Sequence, residues 1–199
     1  MIFFETDADP TEWFPLPLHW TDQERDQDEM VKWSVLCAEI VHRRHKKWWR
    51  RPRRLALADR FLQLAEAHPH PNIPAHQAFL HSGDPRRVPQ PVYALAVSSE
   101  GGDREVELRT IVQAAEENPV RPPDVVEFHS DRMGRGLRCL RLFGDAADPA
   151  VSLTYGWWSE DHRIYASVRT VATEPSWLTA NITVFDDFAR SIWLNPAPE

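Results

Sequence analysis

The sequence predicts an α+β fold: an antiparallel sheet with helices packed on it, plus an N-terminal helical pair. Two observations lead there. Apolar residues recur at helical spacing within residues 21–67, and after residue 74 the pattern changes to short runs rich in β-branched and aromatic residues. Three of these runs, GLRCLRLFG (136–144), AVSLTYGWWS (150–159) and RIYASVRTVA (163–172), are joined by connections short enough for hairpins, which makes an antiparallel meander. The chain of 199 residues reads as a single domain: residues 1–20 extended, 21–67 the helical pair, and 76–195 the α+β body.

The elements follow in order. TEWFPLPLHW (11–20) is expected to be extended, because Pro15 and Pro17 fix their own φ and disfavour helix in the residue before them, and to bury Trp13, Phe14 and Trp20. TDQE (21–24) opens a helix through a capping box of Thr21 and Glu24. Met30, Trp33, Cys37, Ile40 and Val41 form its apolar stripe, Trp48 continues it, and Pro52 stops it. A second helix runs from about Arg53 to Ala67, with Leu55, Ala58, Phe61, Leu62 and Ala65 inward. QAFLH (77–81), PVYALAVSS (91–99) and DVVEFHS (124–130) read as strands, and REVELRTIVQAAEE (104–117) as a helix with Val106, Leu108, Ile111, Val112 and Ala115 apolar. Residues 175–194 become a helix through Phe185, Phe188, Ala189 and Ile192 and can end in a short strand. The helices are expected on one face of the sheet.

Composition sets limits on function. Hydrophobic residues make up 42% and charged residues 27%, ordinary for a globular protein, and 11% aromatics argue against disorder. The formal net charge is −7, which opposes approach to DNA and anionic membranes as a whole. Cys37 and Cys139 lie in apolar stretches and read as two buried, reduced thiols of a cytoplasmic protein. The N-terminal MIFFETDADP has neither a basic nor a long apolar region, so no signal peptide or transmembrane segment is expected.

The C-terminal half carries an outline that resembles a known family. A Gly-Leu-Arg strand (136–138), two further hairpin strands and a last helix reading FDDFARSIWL (185–194) are similar to Mog1/PsbP-like proteins, and to uncharacterised actinobacterial proteins with such a tail. The resemblance covers roughly residues 76–195. It implies a non-catalytic binding or assembly role, and none of the family's functional residues carries over position by position. Twenty arginines against three lysines, with seventeen prolines, is the bias of a GC-rich genome such as an actinobacterium's.

No GxSxG elbow, HExxH or Walker A loop is present, and the G-x-G of MGRGLR (133–138) precedes a strand and reads as a turn. His68, His70, His76 and His81 fall within fourteen residues, and His42 and His45 lie one helical turn apart. A zinc site needs three or four convergent ligands, and no cysteine or carboxylate joins this cluster. The cluster therefore reads as a turn, with His70, His76 and His81 as the ligands if a metal-dependent enzyme is the alternative. No cofactor is expected. The acid pairs Asp186/Asp187 and Glu160/Asp161 read as solvated surface.

The basic run RRHKKWWRRPRR (43–54) carries eight positive charges, so the rest of the chain carries a formal −15. Residues 1–30 hold nine acids and one base, partners inside the same chain. The first reading of the run is the wet end of an amphipathic helix. As a functional element it would dock an acidic protein surface through Arg43, Arg44, Arg50, Arg51, Arg53, Arg54 and Trp49. Nucleic acid is the lesser alternative, because binders of it are basic as whole domains, and a membrane is not expected as a partner. The sequence thus points to a non-enzymatic binding or assembly protein, without fixing its oligomeric state.

Overall fold

The structure, a computed structural model, describes residues 2–18, 23–45, 51–68, 77–115 and 120–196, and only the backbone of residues 2, 23–26, 51, 52 and 196. The fold is α+β, and the chain divides into two compact units, Asp9–Pro91 and Met1–Ala8 with Val92–Glu199. Among the described residues no helix is long and apolar enough to cross a membrane.

The Asp9–Pro91 unit is built from strand β2 (Trp13–Leu16), helices α1 (Gln23–Arg44) and α2 (Arg51–Ala67) and strand β3 (Gln77–His81). As its prolines require, the 13–16 stretch is extended. It pairs antiparallel with β3, from Trp13 opposite His81 to Leu16 opposite Ala78, and Trp13 and Phe14 are buried. The helical spacing holds in α1: Cys37, Ala38 and Val41 are buried, Trp33 is half-buried with its ring edge-on to Phe61, and Phe14 meets the same Phe61 ring. Two expectations need correction. Pro52 lies inside the first turn of α2, where its missing N–H has no helical partner to lose and its fixed φ suits the helix, so it opens the second helix. Leu55 is 51% exposed, and Leu57, with Ala58, is buried in its place. Thr21, Trp20 and Trp48 lie outside the described residues.

The larger unit contains β1 (Ile2–Thr6), β4 (Gln90–Ser98), α3 (Arg104–Ile111), β5 (Asp124–Ser130), β6 (Gly134–Asp145), β7 (Asp148–Ser159), β8 (Ile164–Ala172), α4 (Pro175–Ala180), α5 (Ile182–Ser191) and β9 (Ile192–Pro196). The meander forms as expected: β5, β6, β7 and β8 pair consecutively and antiparallel, and β4 joins on the far side of β8. β7 is flanked on both sides, and residues 151–157 are buried without interruption, as in a strand covered on both faces. β1 pairs with β9 from Ile2 opposite Pro196 to Thr6 opposite Ile192, and Thr6 and Ser191 share a 2.6 Å hydroxyl contact.

Helices cover both faces of β7, not one. Tyr155 and Gly156 are consecutive and so project to opposite faces. Asp186 of α5 accepts a 2.7 Å hydrogen bond from the Tyr155 hydroxyl, whereas a Cβ at Gly156 would meet Val112 and Leu108 at the end of α3. α3 is also shorter than its apolar pattern suggests: Asp103 caps its start, and Gln113 at φ 61 turns the chain away just after Ile111; Val106, in its first turn, is exposed.

The most informative departure is Asp186, read from sequence as solvated. It is buried, and Arg138 donates to its other oxygen at 2.9 Å. Asp187 does behave as surface, pairing with Arg190 one turn on, as do Glu160 and Asp161, both exposed. Burial, the adjoining Asp186 carboxylate and its hydrogen bond hold the Tyr155 hydroxyl protonated, far above the usual tyrosine range. Tyr155 and Trp157 also pack against Phe128, with centroids 4.8 and 5.9 Å away.

Three substitutions test this packing by urea unfolding. Tyr155→Phe leaves Asp186 with one donor fewer and should cost about 1–3 kcal/mol, while Asp186→Ala strands Arg138 and should cost about 3–5 kcal/mol. Gly136→Ala would place a Cβ 2.2 Å from the Gly156 carbonyl oxygen and 2.5 Å from the Trp157 ring, so the β6–β7 pairing must spread. Its expected cost is about 1–3 kcal/mol; an unchanged midpoint would show that the strands can separate freely at that position.

Candidate anion-binding cleft

Positive charge in α1 and α2 has partners close at hand. Arg44, in the last turn of α1, donates to Asp9 and to the Thr11 hydroxyl at 2.6 Å each and pairs with Glu12 at 2.5 Å. Asp9 also accepts from the Thr11 amide and hydroxyl, and these bonds, ahead of the Arg44 charge, hold its carboxyl below the usual value. Glu12 passes the anchorage to the end of β3, its carbonyl accepting from the Ser82 amide at 2.8 Å. On the other side of α1, Glu39 pairs with Arg54 at 2.8 Å and with Arg43 at 3.8 Å. The acids of the N-terminal stretch therefore do serve as internal partners, as the charge distribution suggests.

A cleft of about 780 Å³ opens beside these pairs. One wall is α2, where Arg53, Ala56 and Arg60 stand three and four residues apart and so share a face. The other is the turn after β3, Gly83, Asp84, Pro85 and Arg86, and His45 lines the α1 end. The turn is set by Asp84: its carboxylate accepts from the Arg86 amide at 3.0 Å and from Arg86 Nε and Nη2 at 2.9 Å each. These bonds lower the Asp84 pKa and raise that of Arg86, so both stay charged. Arg60 ties helix to turn, donating from Nη1 to the Arg86 and Arg87 carbonyls at 3.0 and 3.2 Å. Gly83 is required where it stands, because a Cβ there would lie 2.8 Å from Nε2 of His81.

His81 is buried against the Trp13 ring, with centroids 4.6 Å apart. Burial first, and the Arg44 charge second, pull its pKa down to about 4, so it is a neutral packing residue at physiological pH. His68 is likewise buried, its Nδ1 2.6 Å from the Leu64 carbonyl. His70 and His76 lie outside the described residues, and among those described no group of three His, Cys, Asp or Glu is arranged to hold a metal.

Of the seven docking residues expected from sequence, Arg53 lines the cleft, Arg44 and Arg54 are in ion pairs within the chain, and Arg43 is exposed beside Glu39. Arg50, Trp49 and the Arg51 side chain lie outside the description. Sequence reading missed Arg60 and Arg86. The available signal was the Arg53–Ala56–Arg60 spacing and the turn sequence GDPRR (83–87), with its Gly, Asp and Pro. No protein-family model matches this chain, and no curated protein matches it.

His81 gives the unit a pH dependence with a definite sign. Between the ordinary histidine pKa of 6.5 and about 4 the unfolded chain takes up a proton that the folded chain refuses. Stability therefore rises with pH through that window and is lost as pH falls through it, by about 3 kcal/mol at most. Asp9 and Asp84 add losses only further down, below 3.8. Unfolding free energies at stepped pH should show this slope, and His81→Gln should flatten it; an unchanged slope in the variant would mean that His81 is not the group responsible.

Proposed function

We propose that this chain is a non-enzymatic binding protein, an accessory or assembly factor, whose arginine-lined cleft docks an acidic segment of a partner protein. The observation that carries the reading is the meeting of Arg53, Arg60 and Arg86 on one cleft, with Arg60 held by bonds to the Arg86 and Arg87 carbonyls and Arg86 by bonds to Asp84. Guanidinium groups pair with carboxylates through two parallel bonds, and groups held in advance lose little freedom on binding. Nucleic-acid-binding domains are basic as a whole, and the net charge of −7 therefore favours a protein partner over nucleic acid. The resemblance of the 76–195 sequence pattern to Mog1/PsbP-like proteins, an expectation from sequence, points to the same class of role. Cys37 and Cys139 are buried and not joined in a disulfide, which fits a reducing compartment such as the cytoplasm.

Fluorescence anisotropy with a labelled Glu/Asp-rich peptide tests the proposal. Binding should be measurable at low salt, weaken as salt rises, and fall about tenfold or more in Arg53→Glu with Arg86→Glu. Tighter binding of single-stranded or duplex DNA at physiological salt, lost in the same variant, would favour the nucleic-acid reading instead.

A further inference from the structure

Helix α1 turns one face inward and leaves the opposite face open. Cys37, Ala38 and Val41 are buried, whereas Val31, Val35 and Leu36 are 42%, 46% and 58% exposed. At 3.6 residues per turn, Asp28, Lys32, Val35, Leu36, Glu39 and Arg43 fall within about 100° of the helix circumference and form one stripe. Asp28, Lys32 and Arg43 are exposed along it, and Glu39 is partly so. Single apolar residues are common on protein surfaces, but three within one short stretch of helix, rimmed by charges, mark a contact face. The charged residues have neighbours in their own chain that hold them loosely. Lys32 lies 4.0 Å from Asp28 and Arg43 lies 3.8 Å from Glu39, and exposed pairs of this kind contribute little. Arg54 takes one Glu39 oxygen, and a carboxylate keeps acceptor sites for a further donor.

The order of residues along the stripe selects its partner. From the N-terminal end it reads acid, base, two apolar residues, acid, base. Turned end for end, it presents the opposite sign at every charged position. A two-fold axis between Val35 and Leu36 therefore sets Val35 against Leu36 of a second copy, Lys32 against its Glu39 and Asp28 against its Arg43. Parallel pairing in register would set like charges against one another, which disfavours it. We propose that the outer face of α1 is a self-association surface, on which two copies of this chain pair antiparallel about Val35 and Leu36. A helix of 22 residues is about 33 Å long and brings few apolar side chains to the contact. The area buried then falls short of the roughly 1,000 Å² of a lasting interface, so the dimer is weak and forms reversibly.

Sedimentation equilibrium of the full chain, from about 10 μM to about 1 mM, should show the average mass rising towards that of two chains. Val35→Lys with Leu36→Lys brings like charges together at the axis and should weaken association about tenfold or more, while the circular-dichroism melting curve stays in place. Asp28→Arg and Arg43→Asp should each weaken it alone, because each sets like charges against each other at both outer contacts. Mixed in equal amounts, these two variants should associate to within about threefold of the unchanged chain, since every outer contact between them is opposite in sign. Failure of the folded mixture to associate would overturn the end-for-end pairing; should either charge variant misfold, the Val35 and Leu36 substitutions decide alone. A dimer that persists in Val35→Lys with Leu36→Lys, or that is lost only in Arg53→Glu with Arg86→Glu, would place the contact elsewhere and overturn the proposal. A chain that stays monomeric throughout would overturn it as well.

Discussion

Like-charge repulsion is the constraint under which the helical unit is built. Arg43 and Arg44 close α1, and Arg53 and Arg54 stand in the first turns of α2. The fold answers with carboxylates on both flanks, Asp9 and Glu12 on one and Glu39 on the other. None of these pairs is deeply buried, and an exposed pair contributes about 0–1 kcal/mol. Their larger effect is positional. Arg44 gathers the 9–12 turn, that turn holds the end of β3 through Ser82, and the residues after β3 form one wall of the cleft. Arg44 and Arg54 are paired inside the chain, and Arg53, Arg60 and Arg86 are the basic residues that line the cleft.

The larger unit solves a different problem. β7 is covered on both faces, so its polar residues need partners from packed elements. Tyr155 finds Asp186, and Asp186 finds Arg138 from the neighbouring strand. A carboxylate with two directional donors fixes the azimuth of α5 on the sheet in a way that Phe185 and Phe188, which gain from burial in many orientations, do not. Glycine serves the same end: Gly136 leaves space for the Trp157 ring, and Gly156 lets Val112 and Leu108 approach the opposite face. The two helices are thereby set against adjacent residues of one strand.

Local signals were legible in the sequence and non-local ones were not. β3 and β5 have the bounds that their apolar and β-branched runs suggest, and the three-stranded meander follows from alternation and short connections. β1 escaped notice because its partner, β9, lies at the other end of the chain, and IFFET (2–6) carries no turn signal that announces a pairing. Asp186 was misread for the same reason: nothing near it marks it as buried, since its donors stand 31 and 48 residues away. Arg53 was visible as part of a basic run, but the cleft exists only because the 83–86 turn folds back on α2, held by bonds from a side chain to main-chain carbonyls. Helical spacing predicts which residues share a face and says nothing of what the face meets.

The central claim is that one cleft, and not basic charge in general, receives the acidic partner. Residue-resolved NMR of the full chain, titrated with an acidic peptide, tests it most directly. The account predicts amide shift changes concentrated at residues 53–60 and 83–87, where the two walls lie. Binding with its shift changes centred on the meander, residues 124–172, or spread evenly over exposed arginines, would contradict it.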